Sequence, residues 1–132
     1  MEKDFDNWNT KKKVTHKSET KKIFYEREVW WCIFGVNVGA EIDGKHEFFL
    51  RPAVIVRKFN KDMAIVAPTT AQDKDNKYYL LVSGEDSKTY NTCLSQIRNI
   101  SSKRLFRKIS TIKESDYLIL LDKIADMIKG SL

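Results

Sequence analysis

The stretch FFLRPAVIVRKF, Phe48–Phe59, decides how this chain is read. Ala53–Val56 is an unbroken apolar run, rich in β-branched residues and too short for a helix, so it predicts a buried strand. An Arg-Pro pair stands at its entrance. Proline has no N–H to offer a sheet ladder, which confines Pro52 to a strand's first residue or to an edge. Arg51 is thereby placed where the chain enters the sheet, backed by a rigid residue. It is either an ordinary solvated arginine or a group held there for a purpose, and the rest of the chain must decide between them.

Working outward, the same strand grammar recurs. REVWWCIFGV, residues 27–36, is a near-continuous apolar strand followed by the loop NVGAEIDGKHE, which holds two glycines. Asn60-Lys61-Asp62 joins RPAVIVRKF to MAIVAPTT at hairpin length. KYYLLVS and TYNTCLSQI read as further strands around the turn-forming GEDSK. SSKRL has the makings of one helical turn and FRKIST of a short strand. Strands at this spacing, with no helices between them, predict a small antiparallel barrel or twisted sheet. Beyond Lys113 the period changes. Tyr117, Leu118, Leu121, Ile124, Ala125 and Ile128 recur at three- and four-residue steps, which predicts a carboxy-terminal amphipathic helix capped by Ser110 or Thr111 and stopped by Gly130. The fold class expected is α+β.

At 132 residues and with 42% hydrophobic residues the chain suits one domain with a modest core. A net charge of +6 and a pI near 9.3 favour a polyanionic partner, nucleic acid ahead of a membrane. Residues 1–22 are polar and lysine-rich, unlike a signal peptide, and no stretch reads as membrane-spanning. That segment is expected to be an amino-terminal arm, with Phe5 and Trp8 spaced for one face of a short helix, ahead of a domain over residues 23–132. The two cysteines, Cys32 and Cys93, lack metal-ligand spacing and read as reduced strand residues of a cytoplasmic protein. With only two histidines, His16 and His46, no metal and no cofactor are expected. Trp30 and Trp31 alternate across their strand, so one is expected in the core and the other facing a partner or the arm.

The order of these pieces is similar to that of the MazF/PemK family of toxin endoribonucleases. REVWWCIFGVNVGAEIDG resembles the family's opening strand and Gly-x-Glu loop, RPAVIV its Arg-Pro strand, IVAPTTAQ its Thr-bearing strand end, and LSQIRNISSKRL its Gln-Ile-Arg stretch. The resemblance runs from about Glu28 to Leu105. It implies an SH3-like barrel of the CcdB/PemK type, a homodimer, a MazE/PemI-like antitoxin, and metal-independent cleavage of single-stranded RNA. The attack would be by a ribose 2′-hydroxyl, leaving 2′,3′-cyclic phosphate and 5′-hydroxyl ends. Carried onto this sequence, the family's arginine falls on Arg51, its threonine on Thr70, and the loop acid on Glu41. Two positions depart from patterns seen in some members: Ser95 precedes the Gln, and Ala40 separates Gly39 from Glu41. The Glu41-to-Arg51 loop is also longer than in the best-known members.

Elementary chemistry supports those residue types. A guanidinium can stabilise negative charge gathering on phosphate oxygens, and a threonine hydroxyl can orient an oxygen without ionising. Glu41 is a candidate base; His46 is another, since imidazole titrates near neutral pH, although no family position matches it. Lys45, Lys74, Lys77 and Arg98 are candidates for a phosphate track, with Phe48 and Tyr78 for base stacking. The rival reading is a non-catalytic family member, a binding module for an antitoxin or another macromolecule, because a fold of this kind does not by itself fix an activity.

Overall fold

The computed structural model describes residues 2–19 and 22–132; Met1, Thr20 and Lys21 of the amino-terminal arm lie outside the described residues. Helix α1 (Phe5–Lys17) precedes β1 (Glu28–Ile33), β2 (Leu50–Lys58), β3 (Met63–Thr70), β4 (Tyr79–Ser83), β5 (Thr89–Cys93), β6 (Arg98–Ser101) and β7 (Leu105–Thr111), and α2 (Glu114–Lys129) ends the fold. All pairings are antiparallel, in the order β4-β5-β3-β2-β1-β7, with β6 on β3. The ladder does not close completely, yet its two ends meet at one corner. There Gly84 bridges Ile112, Glu85 N–H donates to Thr111 O at 2.8 Å, and Lys113 N–H donates to Ser83 O at 2.9 Å. The result is a barrel-like sheet with the carboxy-terminal helix packed on it.

The apolar continuity of β2 follows from burial on both faces. Ala53 and Ile55 join Phe24, Trp30, Phe34 and Val66 on one side, whereas Val54 and Val56 join Val29, Val82 and Leu94 under α2 on the other. A half-solvated strand would have alternated instead. The β2–β3 hairpin closes through the Asn60 side chain, whose Oδ1 accepts from the N–H groups of Asp62 and Met63 at 2.8 and 3.0 Å.

Three expectations need correction. TYNTCLSQI is not one strand: β5 ends at Cys93, a 3₁₀ turn spans Leu94–Gln96, and β6 follows. The break lets the chain step along one edge of β3, since β5 pairs with Thr69 and Thr70 and β6 with Met63–Val66. On α2 the buried face is Tyr117, Leu120 and Ile124, while Leu118, Ala125 and Ile128 are exposed. Both stripes have helical spacing, and only contact with the sheet selects between them. Lys113, rather than Ser110 or Thr111, is the N-cap residue, with no side-chain cap bond; Glu114 and Asp116 supply negative charge in the first turn instead. Gly130 ends the helix in the left-handed region, φ 76°, as expected.

Helix α1 extends over thirteen residues, and Asp4 Oδ1 caps it by accepting from Asn7 N–H at 3.1 Å. Its Trp8 is buried with Ile33 and Phe49, ring centroids 5.5 Å from Phe49, not against Trp30 or Trp31. Phe5 stays about half exposed. Gly35, φ +75°, lies directly beneath the Trp8 ring, where a Cβ would collide with it.

Gly35→Ala therefore combines an unfavourable backbone region with overpacking. It is expected to cost roughly 1–3 kcal/mol, a fall in Tm on the order of 5–10 °C, read by thermal circular dichroism. The Trp8 emission maximum should shift red as the ring is displaced; an unchanged Tm would show that the helix does not rest on this glycine.

Candidate functional site

Arg51 is the second residue of β2, opposite Cys32 of β1, at the point where the β1–β2 loop rejoins the sheet. Its side chain is only 9% exposed. Nε donates to the Asp43 carbonyl at 2.6 Å and Nη1 to the Thr69 carbonyl at 3.0 Å. These partners are neutral, and no ion pair among the described residues involves Arg51. Burial lowers the guanidinium's pKa, and the Asp43 carboxylate, the nearby Cys93 and Tyr79 act in the opposite direction. The outcome is an oriented cation whose charge is not neutralised by a bound carboxylate.

Strand β3 brings the threonines. Thr69 is buried and donates from Oγ1 to the Pro52 carbonyl at 2.9 Å, so it ties β3 to β2 beside Arg51. Thr70 is half-buried and faces open space, its Oγ1 accepting from Gln72 N–H at 3.1 Å. Period-two alternation thus assigns the structural task to one threonine and leaves the other available.

Arg51, Thr70, His46 and Lys45 line one cavity of about 330 Å³, together with Trp31 and Pro52. Thr70 also borders a neighbouring cavity of about 460 Å³ that holds Lys74, Tyr79 and Asn91. Asn91 Nδ2 braces the loop there by donating to the carbonyls of Gln72 and Lys74 at 3.3 and 3.2 Å. Glu41 and Arg98 lie elsewhere, lining a third cavity of about 340 Å³ with Gln96. The Glu41 carboxylate accepts from Val38 N–H at 2.8 Å within its own turn. Phe48 is exposed under Lys11 of α1, and Tyr78 is exposed under Lys77; neither ring lines the Arg51 cavity.

Two residues that the sequence reading did not assign to the site line its cavities. Trp31 contributes an aromatic wall beside Arg51; the Trp-Trp alternation pointed to an outward ring without saying what it would face. Tyr79, rather than its neighbour Tyr78, borders the Thr70 ridge. Burial raises the Tyr79 phenol, a hydrogen bond and the charge of Cys93 add to that, and Arg51 opposes it. The adjacent tyrosines differ because β4 begins at Tyr79, while Tyr78 still belongs to the turn before it. Among the described residues no group of three or more His, Cys, Asp or Glu side chains is gathered as a metal site. No helix among them is long and apolar enough to cross a membrane.

A barrel-like antiparallel sheet with a carboxy-terminal helix, presenting a buried arginine and a threonine at one mouth, defines a recognisable class. The pattern of PemK-like, MazF-like toxins of type II toxin–antitoxin systems matches residues 25–128, and the chain belongs to that family. Similar solved structures include MazF from Deinococcus radiodurans, with a TM-score of 0.67 and 12% identity over 82% of this chain and 98% of that one. An endoribonuclease from a mycobacterial species has a TM-score of 0.60 and 10% identity over 85% of this chain and 96% of its own. An endoribonuclease in complex with its cognate antitoxin, also mycobacterial, has a TM-score of 0.58 and 11% identity over 82% and 96%. No curated protein matches the sequence. At these identities the structural likeness is one of fold.

Cys32, fully buried behind Arg51, is pushed up by desolvation from an ordinary thiol value of 9.0 to about 12. Between those values the unfolded chain ionises this thiol and the folded chain does not, so unfolding releases a proton. Its contribution to stability is therefore full below pH 9 and falls as pH rises toward 12, at about 1.4 kcal/mol per pH unit. Denaturant melts of the wild type and Cys32→Ala at pH 8 and 10.5 are expected to converge at the higher pH; a constant difference would contradict the shift.

Proposed function

We propose that the protein is the toxin of a type II toxin–antitoxin system and acts as an endoribonuclease on single-stranded RNA in the cytoplasm. The observation that carries this is Arg51: a buried guanidinium aimed by two backbone carbonyls at a cavity it shares with Thr70. A cation held this way meets phosphate oxygens without reorganising as charge develops on them. In the proposed reaction the ribose 2′-hydroxyl attacks the adjacent phosphorus, the bond to the 5′-oxygen breaks, that oxygen takes a proton from water to leave as a 5′-hydroxyl, and a 2′,3′-cyclic phosphate is left. Arg51 stabilises the charged phosphorane and Thr70 orients one of its oxygens. His46, which lines the same cavity, is the favoured group to take the 2′-hydroxyl proton; Glu41, bound within its own turn and lining another cavity, is placed less well. No step assigned here calls on a metal.

Lys45 and Lys74 extend the positive charge to either side of Thr70, with Arg98, Lys77, Phe48 and Tyr78 farther from the centre as candidates for outlying contacts. A homodimer would cover some of the exposed apolar surface, which includes Leu81, Phe106, Leu118 and Ile128. An acidic antitoxin segment, ordering as it binds, would compete with RNA for the basic surface around Arg51.

Incubation with RNA in EDTA tests the reading. Defined cuts bearing cyclic phosphate and 5′-hydroxyl ends, resolved by mass spectrometry, are expected; initial 3′-hydroxyl ends would eliminate attack by the 2′-oxygen, and intact RNA would favour the binding-module reading. Arg51→Ala and Thr70→Val should each slow cleavage on the order of 10²–10³-fold with circular dichroism preserved. Loss of folded protein alongside activity would instead assign these residues to structure.

A further inference from the structure

The amino-terminal helix lies outside residues 25–128, the part of the chain that matches the family, yet it is fastened to the loop that aims Arg51. The attachment centres on Lys3, the residue before the Asp4 cap. Lys3 Nζ donates to the carbonyls of Asn37 and Gly39 at 2.8 and 2.9 Å, and pairs with the Asp43 carboxylate at 3.1 Å. An ammonium has three protons to give, and all three find acceptors on this one loop. The pair is partly shielded, with side chains 20% and 29% exposed, so it is less screened than a surface contact. Asp43 in turn accepts from Asn37 N–H at 2.7 Å and presents its own carbonyl to Arg51 Nε at 2.6 Å.

Asp43 therefore holds two groups of opposite consequence on one residue. Its carbonyl orients Arg51; its carboxylate, if free, is the anion best placed to close on that same guanidinium. Lys3 occupies the carboxylate. Trp8, about one turn along α1, packs on Phe49 at the other end of the loop, and Lys103 Nζ donates to His16 O near the helix end. The helix is thus docked at points that hold Lys3 over Asp43.

We infer that Lys3 is a positioning residue: it sequesters the Asp43 carboxylate and fixes the loop carbonyls, so that Asp43 orients Arg51 without neutralising it. The inference rests on Arg51 being the phosphate-facing group proposed above. It also gives the segment before residue 25 a task in the activity of the domain that follows.

The test uses the full chain with Lys3→Met, Lys3→Arg, Asp43→Asn and the Lys3→Met/Asp43→Asn pair. Lys3→Met is expected to lower kcat for RNA cleavage by about tenfold or more with KM changed far less, as misplacement of a reacting group does. Lys3→Arg should keep most of the rate. The pair should recover much of the loss, because an amide cannot trap the guanidinium as a carboxylate does. A purely structural lysine would give no such rescue, so equal losses in the single and paired variants overturn the inference, as does unchanged kcat in Lys3→Met. The pair and Lys3→Arg keep the comparison decisive if Lys3→Met lowers Tm. Arginine Nε–H NMR separates this from the RNA reading. In Lys3→Met the Arg51 signal should shift and exchange faster with solvent, whether or not the wild type cuts RNA. An unmoved signal refutes the role of Lys3 even in an active enzyme.

Discussion

A guanidinium cannot be buried at a barrel mouth unless its N–H groups find acceptors, and much of the local architecture meets that requirement. The Arg51 side chain needs the Thr69 carbonyl, which places β3 beside β2 in one register. It needs the Asp43 carbonyl as well, which makes the β1–β2 loop fold back over the start of β2. Because both acceptors are neutral backbone atoms, the satisfaction of hydrogen bonds leaves the charge uncompensated. A carboxylate partner would have stabilised the arginine just as well and removed its ability to attract a phosphate. Choosing carbonyls separates holding the group from neutralising it.

The loop that provides one of those acceptors is long but has few degrees of freedom. Phe49 O accepts from both Phe34 and Gly35 N–H, and Lys45 and Leu50 exchange backbone hydrogen bonds around the turn that carries His46. Gln96, from the turn after β5, accepts from Ile42 N–H at 2.7 Å and donates to Ala40 O at 3.0 Å. The Gln-Ile-Arg stretch thus reads as a brace for the loop as much as a binding element. His46 and Phe49 both adopt positive φ, 66° and 57°, and residues with side chains are held there only when the surroundings enforce it. Cross-bracing by β6's approach, by α1 and by the loop's own bonds provides that enforcement.

Much of this was legible along the chain because it is periodic or punctuated. The double-sided burial of β2 appears as the run Ala53–Val56, the hairpin as Asn60-Lys61-Asp62 and the helix stop as Gly130. Pro52, expected at a strand's first residue or on an edge, is instead the third residue of an interior strand, paired with Trp31 of β1 and tolerated because pairing with β3 begins only at Ala53. Arg51 and Thr70 were also singled out as candidates in advance, and they do share a cavity. Features that depend on which of two equivalent faces meets the sheet were not legible. Leu118 and Leu120 are equally apolar, and Tyr78 and Tyr79 are the same residue type; nothing local distinguishes them until helix packing and the start of β4 do.

What the sequence by itself determined is therefore most of the strands, though not the break between β5 and β6, together with the carboxy-terminal helix and the residue types at the mouth, since these follow from short-range pattern and from proline and glycine stereochemistry. Only the tertiary structure decided which polar groups meet. Glu41 and Arg51 are ten positions apart in one loop and strand, yet they face different cavities, while Lys3 and Asp43, forty positions apart, form an ion pair. The physical reason is that a hydrogen bond or ion pair is set by distance in space. The chain fixes that distance through the packing of Trp8, β2 and β3, whose partners no local pattern encodes.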